Sequence, residues 1–130
     1  MRHAAALLAL PLAACTTLPA PGLPVSGSWG GTHVGLTLLE SGGRLDYDCA
    51  AGTIGPVIPR PGGRFVADGT HTPGWGGPDI QGQLRPTHRV RFSGTIAGHR
   101  MTLVGSVANG VQLGPFALRR GAEPVIMRCL

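Results

Sequence analysis

Four side chains in the first half of the chain have the types needed for metal ligation or proton transfer: His33, Asp46, Asp48 and His71. Structural metal sites usually draw two ligands from one short stretch, two to five residues apart. The five histidines show neither a His-x-His nor a His-x3-His spacing. Bringing these four groups together would depend entirely on strand register, so no metal site is expected. Asp46 and Asp48, at i and i+2, would share a strand face, an arrangement that suits a solvated edge better than general acid and base work. Ser26, Ser28, Ser41, Ser93 and Ser106 sit in no Gly-x-Ser-x-Gly elbow, so no activated hydroxyl is expected. A non-catalytic protein without a cofactor is the reading these residues support.

A different kind of signal lies in TPGWGGPDIQGQLRPT, residues 72 to 87. An aperiodic loop of this length is uncommon in a compact domain and tends to be functional or disordered. It carries Trp75 and Arg85, residue types that dominate binding energy at interfaces. His71 enters it and His88 leaves it. Trp75, Arg85, His71 and His88 are therefore the candidate binding residues, at what should be the open end of the fold. The competing reading makes Trp75 a lid folded onto that end.

The three cysteines, Cys15, Cys49 and Cys129, bear on compartment. The N-terminus MRHAAALLALPLAAC places one Arg and one His before an apolar run from Ala4 to Ala14, the pattern of a secretory signal and too short to cross a bilayer. Leu12-Ala13-Ala14-Cys15 looks like a bacterial lipobox, which makes residues 1 to 14 a leader and Cys15 the lipidated first residue of the mature chain. Residues 15 to 25 then form a Pro-rich tether whose ten residues after Cys15 reach about 30 Å at polyproline rise. Thr16 in place of Asp favours the outer membrane. The expected location is the cell envelope, with the protein lipid-anchored and facing the periplasm or the exterior. Two cysteines remain in an oxidising compartment, and Cys49 and Cys129 are expected to pair. Neither has another Cys within four residues, which removes the redox and zinc-knuckle readings.

These groups must be positioned by residues 26 to 130, one domain. With 22 Gly, 12 Pro, no Lys and two Glu, helix formers are scarce and turn formers abundant. The strand-like runs are SWGGTHVGLTLLE, RLDYDCAAGTI, RFVADGTH, RVRFSGTI, RMTLVGSV, VQLGPFALRR and PVIMRCL, with a short strand allowed at Val57-Ile58. Asn109-Gly110 is the strongest hairpin signal, because type I′ turns need positive φ at both central residues. Val34, Leu36 and Leu38 share one face, as do Phe92, Gly94 and Ile96, and Met101, Leu103 and Val107; Arg89, Arg91 and Ser93 take the wetter face. One apolar face over consecutive hairpins is hidden by closing the sheet. The expected fold is all-β, a small up-and-down antiparallel barrel of seven or eight strands, with a two-sheet sandwich as the alternative. In-strand Gly35, Gly69, Gly94 and Gly105 fit sharp coiling or a narrow interior, much of it filled by Trp29, Leu36, Phe92, Met101 and Phe116.

Gly27-Ser28-Trp29 resembles the Gly-x-Trp opening of lipocalins and avidin-like barrels, in which the Trp plugs the closed end. WGGTH (29 to 33), DYDCAAGTI (46 to 54), GTH (69 to 71), WGGP (75 to 78) and the terminal RCL together look like a family of small bacterial lipoproteins with no assigned activity. Tyr47-Asp48-Cys49 paired with a near-terminal Cys is similar to bacterial C-type lysozyme inhibitors, whose inhibitory strand motifs are not evident here. These likenesses imply a barrel and leave two functional expectations. One is a membrane-anchored module binding a small apolar ligand or an envelope or secreted protein. The other is an inhibitor of a lysozyme-like or proteolytic enzyme. All 11 basic residues are Arg and they are scattered, so nucleic acid is not an expected partner, while anionic lipid or an acidic protein is compatible with the charge.

Overall fold

The computed structural model describes residues 4–11, 22–74, 82 and 84–129. The Cys15 and Trp75 assignments lie outside the described residues. Eight strands follow one another in order: β1 (Gly27–Gly31), β2 (Val34–Leu39), β3 (Gly42–Tyr47), β4 (Ala50–Ile54), β5 (Arg64–Pro73), β6 (His88–Ala97), β7 (Arg100–Val107) and β8 (Gln112–Arg120). Each pairs antiparallel with the next, and β8 returns to β1, so the sheet is a closed up-and-down barrel.

The count of eight arises from a different partition than the sequence suggested. The run from Ser28 to Glu40 is two strands, folded at Thr32-His33 so that Gly31 pairs with Val34. The run from Leu45 to Ile54 also folds, at Asp48-Cys49, with Tyr47 opposite Ala50. Neither turn contains Gly, Asn or Pro; the left-handed conformation falls on His33 (φ 71°) and Cys49 (φ 55°), which side chains other than Gly and Asn rarely adopt. Val57-Ile58 is not a strand. Val57 is instead a buried residue of the β4–β5 loop, and its carbonyl accepts from Val25 N–H at 2.8 Å.

PVIMRCL is not a barrel strand either. Residues 121 to 129 leave β8 and climb the outside of β1 and β2 as a strap. Val125 N–H donates to the Gly31 carbonyl at 3.0 Å, and His33 N–H donates to the Val125 carbonyl at 2.7 Å. Farther along, Cys49 N–H donates to the Met127 carbonyl at 3.2 Å. At the end of the strap Cys129 and Cys49 stand at disulfide distance, with Cα atoms 5.0 Å apart. The expected pairing is thus seen, and it joins the β3–β4 turn to the strap.

The strap explains a glycine that the sequence misplaces. Gly35 alternates with inward Val34 and Leu36, so it points outward, opposite Gly30 on β1. Pro124 lies over both: a Cβ at Gly35 would stand 3.0 Å from its ring, and one at Gly30 would stand 2.8 Å from its nitrogen. Gly69 and Gly94 do face inward. A Cβ at Gly69 would press on Phe92 at 2.8 Å, and one at Gly94 on Phe65 at 2.7 Å. The missing side chains are the space these rings occupy.

The interior is consequently solid. Trp29, Val34, Leu36, Leu38, Leu45, Ile54, Phe65, Phe92, Met101, Leu103 and Leu118 are each at most 3% exposed, as interiors packed to organic-crystal density require. Trp29 closes the end where β1 begins. Arg120 lies over its ring, 4.5 Å from the centroid, and donates to the Ser26 carbonyl at 2.7 Å. Such a cation–π contact contributes roughly 0.5–2 kcal/mol.

Candidate functional site

The opposite end carries the β1–β2, β3–β4, β5–β6 and β7–β8 connections and is open among the described residues. β1 stops at Gly31, and its pairing with β8 consists of Trp29 with Arg120 and Gly30 with Arg119. The first part of β8 therefore has no β1 partner in that ladder. Pro115 falls in this stretch, beside a register shift against β7, and a residue without an N–H is suited to an unpaired edge. The gap leads into a pocket of about 360 Å³ lined by His33, Tyr47, Asp48, Cys49, Ala50, His71, Pro73, Gln112, Leu113, Gly114 and Phe116.

Tyr47 is its centre. The phenol ring stacks on Phe116 with centroids 5.5 Å apart and receives the edge of His71 at 5.7 Å. Tyr47 is 6% exposed, yet its Oη has no hydrogen-bond partner among the described residues, and neither does the buried His71 Nδ1. Two polar atoms left unpaired beside one pocket are unusual, since buried polar groups are almost always bonded. Burial pushes the Tyr47 hydroxyl far above the ordinary phenol range, so it stays protonated and able to donate. Burial, and secondarily the charge of His88, lowers the His71 pKa and holds its ring neutral at pH 7.

At the rim, His33 Nδ1 and Asp48 Oδ2 are hydrogen-bonded across the two tight turns. The other carboxylate oxygen, Oδ1, accepts from Met127 N–H at 2.6 Å. Asp46 is drawn instead to Arg44, 3.3 Å away on the outer wall. Of the four groups singled out for metal or acid–base chemistry, three therefore border the pocket and Asp46 does not. Among the described residues, no group of three His, Cys, Asp or Glu is placed to hold a metal ion.

The residues expected to bind are distributed as follows. His71 and His88 are directly opposite on β5 and β6; His88 opens β6 and His71 stands two residues before the end of β5 at Pro73, so the pair flanks the connection, and His71 lines the pocket. Arg85 is half-buried beside Gly74, where a Cβ would lie 3.3 Å from its Nη1. Gly74 N–H in turn donates to the Cys49 carbonyl at 2.6 Å, which sets this part of the β5–β6 connection against the β3–β4 turn. Sequence reasoning missed Tyr47 and Phe116 as site residues. In the sequence Tyr47 stands out only as part of Tyr47-Asp48-Cys49, and Phe116 only as core filler. The available signal was that Tyr47 is the only tyrosine of the chain, standing next to a turn. No family model, no curated protein and no solved structure matches the chain.

Proposed function

We propose that the protein is a membrane-anchored extracytoplasmic lipoprotein whose barrel is a non-catalytic binding module, holding a small and largely apolar ligand at the mouth. The observation that carries this reading is the pair of unpartnered atoms, Tyr47 Oη and His71 Nδ1, beside a pocket walled by Phe116, Leu113 and Pro73. Apolar walls with a few convergent polar groups are the usual composition of a ligand site. The filled interior confines the ligand to this mouth. A neutral phenol donating and a neutral imidazole donating or accepting favour an uncharged polar group on an aromatic or aliphatic body. The test is a fragment screen by amide NMR, using small phenols, lactones and aliphatic amides. Shifts clustering at Tyr47, His71 and Leu113, and lost in Phe116→Ala, support the reading; hits scattered over the wall, or none, defeat it. The anchor is tested separately by expressing the full chain in a bacterium: Cys15→Ala should move it out of the membrane fraction.

One observation favours the inhibitor reading. The rim is tied by the strap, by the His33–Asp48 contact and by the Cys49–Cys129 pair, and preorganised loops bind with a smaller ordering penalty. Loss of lysozyme or protease activity on addition of the protein, reversed by Met127→Asp on the exposed strap, would establish that reading in place of the ligand pocket.

A further inference from the structure

The closed end of the barrel has a composition unlike the mouth. Alternation of the strands brings to it the β2–β3 turn, the β4–β5 loop, the β6–β7 turn, the start of β1 and the end of β8. Arg60, Arg64, Arg100 and Arg119 are exposed there, and none has an ion pair among the described residues. Arg100 and Arg119 stand directly opposite one another across β7 and β8. Like charges facing each other in a sheet are destabilising unless an anion lies between or above them. The acidic groups nearby are Glu40, in the β2–β3 turn, and Glu123, at the base of the strap. Among the arginines protrude Leu23, Leu39 and Ile58, which are 83%, 64% and 46% exposed.

The chain also enters at this end. Gly22 packs so closely on Pro59 that a Cβ would overlap the Pro59 carbonyl, and Val25 is bonded to Val57. The segment that would carry a lipid anchor therefore emerges beside Ile58 and Arg60. We propose that the closed end is a membrane-docking surface, in which Arg60, Arg64, Arg100 and Arg119 engage the phosphates of anionic phospholipids while Leu23, Leu39 and Ile58 enter the headgroup layer. Basic residues beside apolar ones are the composition that binds anionic interfaces. The direction in which this end points rests on the anchoring reading; its charge and apolar exposure do not. Docked in this way, the barrel presents its mouth away from the bilayer.

The test uses the full chain with Cys15→Ala, so that no acyl chain contributes, and vesicles of phosphatidylcholine with and without phosphatidylglycerol. The leader carries the α-amino group and Arg2 and so favours anionic vesicles by itself; it is the same in every variant, and the preference is counted above that of an isolated peptide of residues 1 to 14. Expected is at least a tenfold preference for the anionic vesicles at low salt, weakening steeply in 0.5 M salt. Combined R60Q, R64Q, R100Q and R119Q, with an unchanged circular dichroism spectrum, should abolish it, since each arginine contributes on the order of fivefold near an anionic surface. Combined R89Q and R91Q, on the outer face of β6, should leave most of it intact. Equal binding to both vesicles overturns the proposal, as does an equal loss per removed arginine in the two sets of variants, which would indicate net charge rather than a surface. Retention by a polyglutamate column at equal strength would overturn it in favour of an acidic protein partner. A failed anchor in the cell leaves these outcomes unaffected and so is distinguishable.

Discussion

Asp48 holds His33 with one carboxylate oxygen and the backbone of Met127 with the other, so one side chain joins two hairpin turns and the C-terminal strap. Asp48→Ala should release all three at once. Hydrogen bonds to charged groups contribute about 1.5–3 kcal/mol, and partial exposure of the pair places the expected loss near the lower end. His33→Ala, which removes one exposed contact, should cost about 0.2–1 kcal/mol. Urea denaturation of both variants checks the ranking, and equal losses would contradict the double role of Asp48.

The Cys49–Cys129 pair spans 80 residues. In the chain-entropy model a loop of that size corresponds to about 4.5 kcal/mol. Replacing both cysteines with serine should therefore lower unfolding free energy by several kcal/mol and expose the strap to protease before the barrel unfolds. A protein whose strap and barrel remain equally protected after the change would show that the backbone bonds alone suffice.

Tyr47→Phe should stabilise the free protein. The hydroxyl is buried without a partner among the described residues, and removing such a group relieves a penalty of about 1–3 kcal/mol. The same change should weaken ligand binding at the mouth. Thermal denaturation and NMR titration on one variant measure both, and a fall in stability would mean that the hydroxyl is satisfied after all.

Stability should also depend on pH in two opposite ways. His71 has a folded pKa below its unfolded value near 6.5, so the unfolded chain binds more protons in between and stability falls as pH drops through that window. Tyr47 has a folded pKa above its unfolded value near 10. The unfolded chain loses that proton first, and stability falls as pH rises past 10. His71→Phe should flatten the acid limb and Tyr47→Phe the alkaline limb, as read from urea midpoints across pH.

Gly69→Ala should destabilise by about 1–3 kcal/mol, the usual effect of forcing a methyl group into a packed interior. Phe92 and the Thr53 carbonyl both occupy the space. Adding Phe92→Leu should recover the ring's share alone, leaving a residual defect that a gain from the single change would disprove.

The barrel itself was legible because strand alternation reports one buried face however the chain is folded back. Phe92, Leu103 and Val107 could be placed inward without knowing any register. The turns at Thr32-His33 and Asp48-Cys49 were not legible, since nothing in either residue pair announces a positive φ. The conformation is imposed by the strap, whose bonds to His33 and Cys49 involve residues remote in sequence. The same remoteness hid the site. Tyr47 meets Phe116 and His71 only once closure of the barrel brings β3, β5 and β8 together across its mouth, whereas His71 stands out by its type and its place beside a long loop. Gly35 shows the limit of face assignment: grouped with the other in-strand glycines it reads as room in the interior, whereas alternation with Val34 and Leu36 turns it outward, and only the tail lying on it accounts for the missing side chain.

The seam between β1 and β8 joins the first strand to the last, and the strap completes that wall with the final residues. Ribosomal synthesis proceeds from the other direction. Throughout elongation Trp29 has no Arg120 to cover it and the outer faces of Gly30 and Gly35 have nothing to lie against. The closing contacts are all non-local, the kind that form slowly. Until residues 119 to 127 have been made, β1 has no β8 to close on and the β1–β2 wall has no strap to cover it.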